Sequence, residues 1–308
     1  MVTATRGHLW GLVIGGSLLV AIGFRMTGLS VARSTGAPYL AMIGLIAGVA
    51  ALRGRLTDAR QLRLADLIEL LGLFCWVSAL GGLGSYAVAA ASHGFHDAAL
   101  ANIDSAMGFD WLATYRFFAG HSWLTAVTAP AYRTIFATPL VVIAALTMTG
   151  RAERARTFVA VFGVALCVCL FSFYFLPARS ALAYHVGMAP GYMPATGLDH
   201  VAIIEALRGG AVHVVDPARI VGLITFPSFH AVCAVLFTWS GWPVARLRMP
   251  LLLVNGMMLA ATPVEGTHYL IDVIAGLALA AALIGVAHRR NLPASAAARH
   301  RDRTLSPA

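Results

Sequence analysis

The chain has 308 residues, of which 59% are hydrophobic and 11% charged, with a mean hydropathy of +0.78. Soluble domains carry about 25% charged residues, so this chain lacks the polar surface to coat a globule of its size. Its formal charge of +9 rests on 22 basic side chains, all of them arginine. They sit in short clusters between apolar runs, as in the cytoplasmic loops of membrane proteins, which argues against a nucleic-acid partner.

From the N-terminus, runs approaching the ~20 residues that cross a bilayer predict eight spans. They fall at roughly 8–24, 37–52, 67–91, 130–149, 157–177, 229–245, 250–264 and 267–287. The first resembles a signal peptide, but no small-residue cleavage site follows and a second apolar run comes soon after, so it reads as a retained helix. All eight are expected to be helical, because unpaired backbone cannot cross lipid. The expected fold is thus an all-α integral membrane protein forming a single membrane domain. It divides into N-terminal helices (1–92), a catalytic core (93–288) and a basic, disordered tail (289–308). Cys75, Cys167, Cys169 and Cys233 all lie within apolar runs and read as small buried hydrophobes, without the loop clustering of a disulfide framework or zinc site.

Arginine sets the expected orientation. Arg53, Arg55, Arg60 and Arg63 follow the second span, Arg151, Arg154 and Arg156 the fourth, Arg246 and Arg248 the sixth, and Arg289 and Arg290 the eighth. Eight spans put all of them on one side, which the positive-inside rule makes cytoplasmic. Two long segments, 92–129 and 178–228, then lie on the outer side. The first mixes acidic residues such as Asp104 and Asp110 with Trp111, Tyr115, Phe117, Phe118 and Trp123, a pattern suited to helices along the headgroup layer.

Two polar constellations interrupt the apolar pattern. Span eight opens Glu265-Gly266-Thr267-His268-Tyr269-Leu270-Ile271-Asp272. On a helix, His268 and Asp272 share a face. A carboxylate accepting from one ring nitrogen leaves the other as nucleophile or base. Taken alone, the pair equally suits a structural hydrogen bond between helices. Span six opens Thr225-Phe226-Pro227-Ser228-Phe229-His230, where Ser228 suits an N-cap and the helix start an anion site; capping alone would also account for it. The expected topology gathers both histidines, Asp272, Arg133 at the start of span four and Arg179 at the end of span five at the outer face. Arginine forks match phosphate oxygens, while one histidine attacks phosphorus and another protonates the leaving oxygen. No carboxylate cluster is available for Mg²⁺, and His93, His96, His185, His200 and His213 have no recognised zinc spacing. The expectation is a reaction without metal or other cofactor. A transporter is the rival reading, but its polar residues belong near the midplane, whereas these gather at span ends.

These motifs resemble the type 2 phosphatidic acid phosphatase superfamily over roughly residues 100–288. Its second motif, usually Pro-Ser-Gly-His, reads here Pro227-Ser228-Phe229-His230. The His-x-x-x-Asp end of its third motif matches His268 and Asp272. Ala261 and Thr262 stand where that motif carries Ser-Arg, and the first motif is replaced by Phe175-Leu176-Pro177-Ala178-Arg179. The residue before His230, with Gly266-Thr267-His268-Tyr269 and Ala106-Met107-Gly108-Phe109-Asp110-Trp111, is more similar to the inositol phosphorylceramide synthase branch. The resemblance implies a six-helix phosphatase core with His268 as nucleophile, Asp272 holding it, and His230 as acid then base. Ser228, Arg133 and Arg179 stand in for the phosphate cradle. The partners it implies are a membrane lipid phosphate and a lipid or polyol hydroxyl acceptor, or water. The setting expected is a bacterial inner membrane with the site facing outward.

Overall fold

The computed structural model describes residues 4–32 and 36–289; of the tail expected to be disordered, 290–308 lies outside the described residues. Thirteen α-helices follow in order among them: α1 (Arg6–Thr27), α2 (Gly36–Leu52), α3 (Ala59–Ala91), α4 (Asp97–Ala106), α5 (Trp111–Ala119), α6 (Ser122–Arg133), α7 (Thr138–Met148), α8 (Ala152–Phe175), α9 (Ala181–His185), α10 (Asp199–Arg208), α11 (Phe229–Gly241), α12 (Arg248–Glu265) and α13 (Leu270–Arg289). A two-residue parallel pair, β1 (Ser30–Val31) with β2 (Val214–Val215), ties the end of α1 to the segment before α11.

Five helices are long and apolar enough to cross a membrane: α1, α3, α8, α12 with its preceding turn, and α13. A bent pair, α6 with α7, brings the number to six. The count of eight spans expected from sequence is not confirmed among the described residues. α2 has 17 residues. α11 has 13, about 20 Å of helix against a hydrocarbon core of ~30 Å. Span four is not one helix either. α6 starts at Ser122, inside the expected outer loop, and meets α7 at a 50° bend. Pro139 in the first turn of α7 would clash with the carbonyl four residues back if the helix ran on unbroken, so the chain passes through the 3₁₀ turn Thr134–Phe136 instead.

The main apolar core lies where α3 and α8 cross. Leu73, Phe74 and Val77 meet Phe158 and Phe162, and Phe237 of α11 joins them. Small residues allow close approach: a Cβ on Gly81 would lie 2.8 Å from Leu166, and one on Gly163 would strike Leu12. Two of the cysteines differ from expectation. Cys169 and Cys233 are buried, but Cys75 and Cys167 are exposed on their helices, because a membrane bundle needs no polar exterior.

One end of the bundle is stitched by arginine. Arg6 pairs with Glu69 at 2.8 Å and Arg53 with Asp66 at 2.7 Å. Arg63 donates to the Met148 carbonyl that ends α7, and Arg154 to the Trp239 carbonyl near the end of α11 while stacking 3.7 Å over that indole. At the other end, α4, α5, α9 and α10 form a cap whose core contains Trp111, Tyr115, Leu182 and Val201. These four helices come from the two long segments, 92–129 and 178–228, between the apolar runs.

Candidate active site

The cap exists to hold one loop, the turn from α12 into α13. Asp104 of α4 accepts the backbone N–H groups of Leu270 and Ile271 at 2.7 and 2.9 Å, so a carboxylate more than 160 residues away in sequence caps α13 and favours the positive end of the helix dipole. Burial pushes the Asp104 carboxyl up from its ordinary range, with those two N–H bonds opposing it. Asp97 accepts from the backbone N–H groups of Arg179 and Ser180 and from the Tyr269 hydroxyl, joining the end of α8 to the same loop. The Trp111 indole donates to the His268 carbonyl at 3.0 Å. Glu265, fully buried, accepts from Thr128 (2.7 Å), the Tyr192 hydroxyl and the Ala195 N–H.

His268 precedes α13 rather than lying on it, so the expected helical face is not what pairs it with Asp272. Thr267 adopts a left-handed φ of 54°, a conformation rare for a β-branched residue and costing of order 1–3 kcal/mol. The turn directs the imidazole back to the helix, where Nδ1 lies 3.2 Å from Asp272 Oδ2. The same oxygen accepts the Tyr269 N–H at 3.0 Å. His268 is 5% exposed and Asp272 1%. With Nδ1–H donated to the carboxylate, Nε2 is left with its lone pair.

His230, in the first turn of α11, is fixed by a residue the sequence reading missed. Its ring stacks on Tyr132 with centroids 3.8 Å apart, and the phenol oxygen lies 3.0 Å from Nδ1. Nε2 is the nitrogen left for chemistry. Tyr132 closes α6 beside Arg133, and nothing in its local sequence marks it, because its partner lies 98 residues away. Gly266 makes room for the assembly: a Cβ there would stand 2.7 Å from the Thr262 carbonyl and 2.8 Å from both His268 Cδ2 and the Tyr132 hydroxyl.

His230 and His268 line one cavity of about 840 Å³, together with Arg133 and His200. His200 is buried and its Nε2 bonds the Arg179 carbonyl at 2.6 Å. Two other expected contributors lie elsewhere. Ser228 is fully buried as the N-cap of α11, with its Oγ accepting from Ala231 and its own N–H donating to the Asp272 carbonyl. It fixes α11 against α13 and does not line the cavity. Arg179 points outward, paired with Glu205 at 3.2 Å and stacked over Phe95; its backbone, not its guanidinium, serves the site. Ala261 and Thr262 are both buried, and Thr262 Oγ1 bonds back to Met258 within α12, so neither replaces the missing Ser-Arg. Among the described residues, no group of three or more His, Cys, Asp and Glu side chains gathers as a metal site.

A helical membrane bundle with two imidazoles on one cavity, one of them backed by a buried aspartate, presents groups of the kind that perform acid–base or nucleophilic chemistry. The family model described as the PAP2 superfamily matches residues 98–286. The chain belongs to the PAP2 superfamily, whose members are phosphatases and phosphotransferases. The match begins at α4, so α1, α2 and α3 lie outside it. No curated protein and no solved structure matches the chain.

Proposed function

We propose that the protein transfers a phosphoryl group or phospho-headgroup from a lipid phosphate to a hydroxyl acceptor through a phosphohistidine on His268. The observation that carries this reading is the shared cavity, with His268 Nε2 left free by the Asp272 bond and His230 Nε2 left free by Tyr132. In the first step Nε2 of His268 attacks phosphorus, the P–O bond to the leaving alcohol breaks, and protonated His230 gives its proton to that oxygen. In the second, the acceptor hydroxyl attacks phosphorus, its proton passes to His230, and the P–N bond breaks. Asp272 stabilises the charge on the His268 ring in both, as a buried carboxylate does for an imidazolium. Arg133, exposed at the cavity rim, is the guanidinium placed to neutralise phosphate oxygens. Ser228 and Arg179 act on this site through structure, by capping α11 and anchoring His200.

The chemistry needs no metal, since imidazole and guanidinium supply the nucleophile, the acid and the positive charge. Transfer of the inositol phosphorylceramide synthase type is favoured over hydrolysis by Phe229 in place of the glycine before His230. The arginine-stitched end lies opposite the cavity, which supports an outward-facing site; the setting proposed is a bacterial inner membrane. Mass spectrometry of products from purified protein and phosphatidic acid, with and without an added diacylglycerol or inositol, tests the reading. An alcohol-dependent phosphorylated product is expected. Free phosphate alone makes water the acceptor, and no turnover of any lipid phosphate overturns the proposal.

A further inference from the structure

The cavity does not stop at the histidines. It runs between α2, α3 and the α6–α7 bend, past Met42, Cys75, Ser78, Ala79, Phe136 and Leu140. Cys75, Ser78 and Ala79 stand at i, i+3 and i+4, one face of α3. Small residues in membrane helices ordinarily let neighbouring helices pack closely, and other positions on α3 do so, with Gly72 tight against Ile46 and Gly81 against Leu166. Cys75, Ser78 and Ala79 border open space instead. Ser78 Oγ is shut off from solvent and has no hydrogen-bond partner. At the mouth, Phe136 is 77% exposed on the turn where α6 bends into α7.

The opening of about 840 Å³ has largely apolar walls, and its size falls among ligand sites of ~300–1,000 Å³. One end presents imidazoles and a guanidinium, the other aliphatic and aromatic side chains between bilayer helices. The molecule that matches both ends has a phosphate head and a hydrocarbon tail. We propose that this groove takes one hydrocarbon chain of the phosphate donor, and that Cys75, Ser78 and Ala79 select the chain. The inference rests on the phosphoryl-transfer reading and extends it to α2 and α3, which precede the family-matched region.

Cys75 offers a test in the unaltered protein, with exposed Cys167 on α8, outside the cavity, as its internal control. In detergent micelles, dioleoyl phosphatidic acid is expected to slow alkylation of Cys75 by an apolar maleimide several-fold, read by peptide mass spectrometry, without slowing that of Cys167. Dihexanoyl phosphatidic acid is expected to protect Cys75 far less. Equal protection of the two cysteines, or none at Cys75, overturns the inference. A second measurement uses Ala79→Phe, whose added ring fills the groove. The ratio of kcat/KM for the dioleoyl to the dihexanoyl ester is expected to fall about tenfold, the scale on which apolar pockets discriminate; an unchanged ratio counts against the groove. Because protection of Cys75 needs no turnover, a protein that binds the long chain but transfers no phosphate sinks the catalytic reading alone.

Discussion

Tyr132 and His230 lie face to face, with ring centroids 3.8 Å apart and the phenol oxygen 3.0 Å from Nδ1. The stack holds the imidazole plane and the hydrogen bond selects which nitrogen faces substrate. Tyr132→Phe keeps the stack and deletes the bond. It is expected to lower kcat about tenfold to a hundredfold, below the full worth of a general acid–base group. It should also shift the pH–rate profile while leaving thermal stability in detergent nearly unchanged. Steady-state kinetics across pH checks this, and an unaltered profile removes the role given to the phenol.

Asp272 and His268 allow a cleaner separation of roles. His268→Ala is expected to abolish transfer and the trapping of radiolabelled phosphate on the protein. Asp272→Asn retains an acceptor for the Tyr269 N–H but loses the charge that stabilises the imidazolium. A fall in kcat of about a hundredfold to ten-thousandfold is expected, with the phosphoenzyme still detectable. Acid quench and phosphohistidine analysis distinguish the two variants; label persisting in His268→Ala would place the nucleophile elsewhere.

Gly266→Ala probes the space between the two histidines. The new methyl would meet the Thr262 carbonyl, His268 and the Tyr132 hydroxyl within 2.8 Å, and overpacking of this kind costs about 1–3 kcal/mol. Both a lower melting temperature and a lower kcat are expected. A variant matching the parent in both would show that the loop yields freely.

His200 gives stability a pH dependence. Burial lowers its pKa below the ordinary histidine value, and the nearby His268 adds to that, while the bond to the Arg179 carbonyl opposes it. The folded state therefore binds fewer protons than the unfolded one. The contribution is fully present above the unfolded pKa of ~6.5 and is lost as pH falls below it toward the folded value. Melting temperature in detergent is expected to drop between neutral and mildly acidic pH, and His200→Gln, which can still donate to the carbonyl, should flatten part of that drop. An identical slope in the variant would assign the dependence to another group.

Chelation addresses the metal-free chemistry directly. Activity of the purified protein is expected to survive EDTA, since imidazole and guanidinium carry the proposed roles. Strong loss restored by Mg²⁺ or Zn²⁺ would require a different mechanism.

Composition and periodicity carried the membrane character, the helical class and the arginine-rich end, because lipid admits few backbone solutions and each span is a local property of its own residues. The pair of His268 with Asp272 was legible from spacing alone, although the reason for their contact was not: a left-handed Thr267 turns the His268 ring toward a helix that starts three residues after Thr267, at Leu270. His230 was marked by its motif. Tyr132, Asp97, Asp104 and Glu265 were invisible as site residues, since each acts on a partner at least 82 positions away in sequence. Ser228 and Arg179 illustrate the reverse. They were read as phosphate-cradle residues, but the directions of their side chains are set by Ala231 and Glu205. The sequence by itself determined which residues carry reactive groups and that the chain lies in a membrane. Tertiary structure alone decided which groups meet, because a side chain's partner depends on the helix crossing and turn geometry that bring distant segments together.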